Sequence, residues 1–116
     1  MQDYKKLDVW GKAHQLTLYI YKLTKAFPKE ELYGITNQIR RAASSIPANI
    51  AEGCGRDSNA ELFRFITIAK GSASEVEYFA FLAKELDYMN SNAYQTVTNE
   101  IIEIRKMLTS LQKKLK

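Results

Sequence analysis

The chain has 116 residues, 46% hydrophobic and 26% charged, with a formal net charge of +4 and one cysteine. That length supports one domain burying about two-thirds of its unfolded surface, and the lone Cys54 excludes an internal disulfide and predicts a cytoplasmic setting. The polar opening Met1-Gln-Asp-Tyr-Lys-Lys lacks a signal-peptide core, and no run of about 18 apolar residues offers a membrane span, so no membrane partner is expected.

Four helical segments are predicted, at about residues 8–27, 29–52, 58–88 and 91–115. In the first, Val9, Ala13, Leu16, Ile20, Leu23 and Phe27 step by alternating fours and threes, the seam of a bundle helix. Asp8 is placed to cap its start, and Pro28 follows its end.

The second segment carries Ile35, Ile39, Ala42, Ala43, Ile46 and Ile50 on one face, while Arg41, Ser44, Ser45, Asn49 and Glu52 fall off it. Glu30 and Glu31 suit its first turn, and Gly53 and Gly55 its end. The periodicity runs straight through Pro47. A proline there lacks the N–H that would bond the Ala43 carbonyl, and its ring clashes with that carbonyl, at roughly 3 kcal/mol in a helix interior. Ser44 and Ser45 stand beside the bend, placed to occupy freed carbonyls, so the kink serves either close packing or a site.

Ser58-Asn-Ala-Glu61 matches a capping box and opens the third segment. Leu62, Ile66, Ala69, Ala73, Val76, Ala80 and Ala83 form one seam there, and Phe65, Ser72, Phe79 and Leu86 a second, which predicts two sets of neighbours. Gly71 lies in mid-helix, where glycine costs roughly 1 kcal/mol relative to alanine. Its presence predicts a close backbone approach, with Ala42-Ala43 and Pro47-Ala48 as the expected partners. The fourth segment follows Asn90-Ser91-Asn92 and repeats Tyr94, Val97, Ile101, Ile104, Leu108, Leu111 and Leu115 in threes and fours. With no strand-like alternation anywhere, the pattern predicts an all-α, antiparallel up-down-up-down four-helix bundle, its helices crossing at roughly 20°.

Chemistry is sparse. His14 is the single histidine, no Glu-x-x-His pair suits a di-iron bundle site, and His14 and Cys54 lack zinc partners at ligand spacing. Gly53 and Gly55 follow no strand, and no Gly-Lys-Ser/Thr closes a phosphate loop. Helical ribonucleases of the HEPN type need an arginine followed closely by a histidine, and none follows Arg40 or Arg41. No enzyme, metal or cofactor is expected.

A polar constellation remains on the second and third segments. Arg41, Asn49, Glu52, Ser72 and Glu75, with Pro47 and Gly71, read as structural or interface positions, open to a solvated face, subunit ion pairs or a ligand site. Arg40, Arg56, Arg64, Arg105, Lys106, Lys113 and Lys114 are candidate phosphate contacts, against the simpler reading of the terminal lysines as solvated ends. Trp10, Tyr19, Tyr21, Tyr33, Phe63, Tyr78 and Phe81 fall outside the main seams, and core-sized aromatics in such places favour a homo-oligomer.

Leu7-Asp-Val-Trp10, Phe27-Pro28, Tyr33-Gly34, Gln38-Ile-Arg-Arg-Ala-Ala43, Ser45-Ile-Pro-Ala-Asn-Ile-Ala-Glu-Gly53, Ala69-Lys-Gly-Ser72 and Glu75-Val-Glu77 resemble the 23S rRNA intervening sequence protein, or S23 ribosomal protein, family. The resemblance runs almost end to end. It implies a four-helix bundle assembled as a ring-shaped homopentamer, and it implies no established activity. The chain is distantly similar to the accessory proteins of diversity-generating retroelements, which bind nucleic acid and a reverse transcriptase. The expectation is a non-enzymatic oligomeric binding protein contacting structured RNA or DNA, with a scaffold that docks a partner enzyme as the alternative.

Overall fold

Helices form where the apolar seams lie: α1 (Asp8–Thr24), α2 (Ile35–Cys54), α3 (Asn59–Glu85) and α4 (Ser91–Lys114), with 3₁₀ turns at Tyr4–Lys6 and Lys29–Glu31. The structure, a computed structural model, describes residues 3–116. Each helix packs on its neighbour in the chain, α1 closes the square against α4, and the α2–α3 interface is the most extensive. The result is an all-α four-helix bundle 43 Å long. Its centre is filled by Ile20, Ile39, Ile46, Ile50, Ile66, Val76, Val97, Ile101, Ile104 and Leu108, all fully buried.

Three boundaries differ from expectation. Helix α1 stops at Thr24, whose hydroxyl donates to its own helix at Ile20 O (2.8 Å), and Phe27 turns back into the core beyond the helix end. Its start has no side-chain cap: Asp8 sits in the first turn and Leu7 at the cap position, so the acid acts there through the helix dipole. Helix α2 begins at Ile35 and not at 29, because extended Pro28 opens a separate 3₁₀ turn and Gly34 leaves helical geometry just before Ile35. Glu31 does not serve a first helical turn; it accepts a hydrogen bond from Tyr88 Oη at 2.9 Å and ties the α1–α2 connection to the α3–α4 connection.

Helix α3 opens as predicted, with Ser58 Oγ accepting from Glu61 N at 3.1 Å. It ends at Glu85, short of 88, in a pattern normally built around glycine. Tyr88 N donates to Ala83 O (2.8 Å) and Asp87 N to Lys84 O (3.0 Å), with Asp87 itself at φ 63°, the left-handed region. The second α3 seam holds at Phe65 and Ser72 and runs out at Leu86, which is exposed. Asn90 caps α4 by accepting from Ala93 N at 2.8 Å. The α4 seam is buried through Leu108 and then ends on Gln112, a polar residue placed where Leu111 and Leu115 were expected to continue the core.

Pro47 sits inside an unbroken α2. The carbonyl it leaves without a helical partner, Ala43 O, receives the Thr17 hydroxyl of α1 at 3.1 Å. Ser44 and Ser45 do not fill that role: Ser44 Oγ donates weakly to Arg41 O, and Ser45 bonds across to α3. The proline is therefore accommodated at the α1–α2 interface.

Gly71 is a correction as well. It is exposed, and a Cβ built on it would meet nothing within 4 Å, so among the described residues no other backbone approaches it. The close approach lies at Gly53, where a Cβ would fall 2.8 Å from Leu62 Cδ1 and 2.8 Å from Phe65 Cβ. There α2 and α3 converge just before their connecting turn.

Candidate nucleic-acid interface

The seven basic candidates divide by what already holds them. Arg40 Nε donates to Thr24 Oγ1 at 2.7 Å, and its guanidinium lies 4.7 Å over the Tyr21 ring, binding the start of α2 to the end of α1. Arg56 pairs with Glu52 one turn earlier (2.9 Å), and Arg64 with Glu61 (3.2 Å). Both guanidinium groups flank the Phe65 ring, at 4.9 and 4.6 Å. The Glu61 carboxyl is held below the ordinary carboxylate range, chiefly by the hydrogen bond from Arg64 and then by that charge. Arg105 reaches from α4 to α3, pairing with Glu77 at 3.5 Å and donating to Ser74 Oγ.

Each of the four arginines thus has an internal task. Lys106, Lys113 and Lys114 are exposed, and among the described residues none pairs with a carboxylate. Lys106 and Lys113 are two helical turns apart on nearly one face, about 10 Å along the axis.

Two adjoining clefts frame these lysines. One, of about 400 Å³, lies between the start of α1 and the last turns of α4, with Leu7, Met107 and Leu111 among its apolar lining and Lys6, Lys106 and Lys114 among its polar lining. The other, of about 570 Å³, runs along α4 past Ile102, Arg105 and Lys113. Lys106 and Ser110 line both. Ser110 carries no signal in the sequence, because its place in the cleft depends on which helix face meets which. A terminal charge count registers Lys6 but cannot place it beside α4.

Gln112 buttresses this end of the bundle. Its Nε2 donates to Phe63 O (3.1 Å) and Thr67 Oγ1 (2.8 Å), and its Oε1 accepts from Lys70 Nζ (3.1 Å), so a buried amide clamps α4 to α3 with its polar atoms engaged.

The polar row near Pro47 is only partly brought together. Ser45 Oγ and Ser72 Oγ share a 2.8 Å hydrogen bond across α2 and α3, and Asn49 Nδ2 donates to Ser45 O (2.8 Å) and Ser45 Oγ (2.9 Å). Arg41 and Glu75 line a cleft of about 270 Å³ above this network. Glu52 turns away to Arg56, and Pro47 is buried. The network fixes helix register, and it places no nucleophile beside a base.

Of the aromatics expected outside the core, Tyr21, Tyr33, Tyr78 and Phe81 are exposed, Tyr33 to 91%. Trp10 and Tyr19 are half-buried against the core, with Trp10 stacked on His14 at 5.0 Å, and Phe63 is also half-buried. Cys54 is buried, and burial pushes its thiol above the ordinary range, which disfavours the thiolate. Among the described residues no three His, Cys, Asp or Glu side chains gather to hold a metal ion, and no helix is long and apolar enough to cross a membrane.

Comparison with known proteins finds a matching family and solved structures of the same fold. Residues 5–110 match the family described as 23S rRNA-intervening sequence protein. A crystal structure of a protein of unknown function from the S23 ribosomal protein family of Bacteroides thetaiotaomicron superposes with a TM-score of 0.80 at 30% identity, covering 90% of this chain and 98% of the other. No curated protein matches the chain.

Proposed function

The chain belongs to the 23S rRNA-intervening sequence protein family, and from that premise we propose that it is a non-enzymatic, cytoplasmic, oligomeric protein that contacts structured RNA through the basic face of α4. The observation that carries this reading is the contrast between arginines already engaged within the bundle and Lys106, Lys113 and Lys114, which stand exposed and unpaired on one stretch of helix. Unpaired lysines supply sequence-independent phosphate contacts. Assembly as a homopentamer fits the exposed Ile68, Tyr78 and Phe81 on α3 and the open, bare position at Gly71. A ring would repeat the α4 face five times and add weak basic patches into a strong one.

A second reading, a scaffold that docks a partner protein, draws on Tyr33 and Leu32, which project from the connection before α2, 91% and 48% exposed. Light scattering and an RNA mobility-shift assay separate the two. The first reading expects a mass near five times 13.3 kDa and RNA affinity that falls steeply with salt. A monomer with no RNA affinity at low salt refutes it.

A further inference from the structure

The α1–α4 cleft has more than charge. Its floor is apolar, from half-buried Leu7, Met107 and Leu111, and its rim is cationic, from Lys6, Lys106 and Lys114, with the exposed Ser110 hydroxyl beside them. Contact with duplex phosphates needs the rim and leaves the floor unused. An apolar floor beside a cationic rim matches a ligand that joins a flat apolar group to an anion. We propose that this cleft takes one unpaired nucleotide of RNA, its base against Leu7, Met107 and Leu111 and its phosphate on the lysine rim.

Asp8, the acidic residue of the lining, lies in the first turn of α1. The helix dipole favours its charge there, and like-charge repulsion directs the phosphate to the α4 side. The neighbouring cleft shares Lys106 and Ser110 and adds Arg105 and Lys113, so the strand continues along α4 with Lys106 between successive phosphates. This inference rests on the RNA-binding reading above and narrows it to unpaired over duplex RNA.

The test uses the full chain, a fluorescein-labelled oligouridylate and a labelled blunt RNA duplex of equal length, read by anisotropy at low salt. Ser110→Phe fills the cleft without changing charge, and Ser110 is exposed, so the fold tolerates it. It is expected to weaken oligouridylate binding roughly tenfold, the worth of one base's contacts, while the duplex stays within about twofold. Lys106→Gln is expected to weaken both. Oligouridylate affinity unchanged by Ser110→Phe, or equal losses for both RNAs, overturns the cleft assignment while leaving the RNA-binding reading intact. Failure of the unmodified protein to bind either RNA overturns that reading itself. A 5-iodouridine oligonucleotide is expected to crosslink to the peptide holding Met107 and Leu111, and an adduct confined to another helix counts against the cleft.

Discussion

Thr17→Val removes the hydroxyl that the proline-bearing helix relies on and little else. In the native fold that hydroxyl lies 3.1 Å from Ala43 O and 2.9 Å from Ala13 O. Ala43 is fully buried, and Pro47 has no N–H to offer its carbonyl. Valine keeps the side-chain volume and strands that carbonyl, so the expected loss is about 1–3 kcal/mol, the cost of an unsatisfied buried acceptor. Pro47→Ala restores a backbone donor one helical turn along. In the Thr17→Val background it should recover much of the loss, and in the native background, where the carbonyl is already satisfied, it should change stability far less. Urea unfolding followed by circular dichroism at matched protein concentration measures the four-member cycle. A coupling of about 1 kcal/mol between the two sites is expected. A loss below about 0.5 kcal/mol for Thr17→Val, or strictly additive effects, would refute the pairing of these two residues.

Three further outcomes follow from the packing. Gln112→Leu keeps the volume and removes the α3–α4 clamp, leaving Thr67 Oγ1 and Phe63 O without their cross-helix donor; a loss of about 1–2 kcal/mol is expected in urea, and a gain would show that the amide is not needed. Asp87→Gly relieves the left-handed backbone at φ 63° and removes an anion from the C-terminal end of α3, for a net gain of about 0.5–1 kcal/mol after glycine's extra unfolded-state entropy; an unchanged melting temperature contradicts it. Tyr88 ionises above its ordinary value because it donates a hydrogen bond to Glu31, with burial and the Glu31 charge adding to the effect. A pKa raised in the folded state contributes stability below the unfolded value, about 10, and loses it as pH rises through the folded value. Stability should therefore fall at strongly alkaline pH, and Tyr88→Phe should flatten that limb in melts taken across it.

How far the sequence discloses the molecule depends on the range of the interaction. The seams of Val9 to Ile20 and Leu62 to Ala83, and the Ser58 cap, rest on contacts within a few residues or on a helical repeat, and they are legible. The start of α2 is not, because Glu30 and Glu31 look like a helical first turn, whereas Glu31 is committed to Tyr88, 57 residues away. Glycine in mid-helix correctly signals a departure from propensity, yet the helix crossing that needs one falls at Gly53 and not at Gly71. Thr17 escapes notice because nothing local to it distinguishes a threonine that serves a carbonyl 26 residues on. At the candidate interface the sequence offers seven basic candidates, and the structure engages four of them in pairs of their own. What sets Lys106, Lys113 and Lys114 apart is that, among the described residues, none of them forms an ion pair with a carboxylate, which only the packed structure discloses.

The most direct measurement is the salt dependence of RNA affinity for the native protein and for the triple variant Lys106→Gln, Lys113→Gln, Lys114→Gln, by anisotropy with one labelled structured RNA. The log–log slope of the native protein should be steep and negative, and the variant's should be shallower by about one for each lysine removed. An affinity independent of salt, or identical slopes for the two proteins, would contradict the assignment of RNA binding to α4.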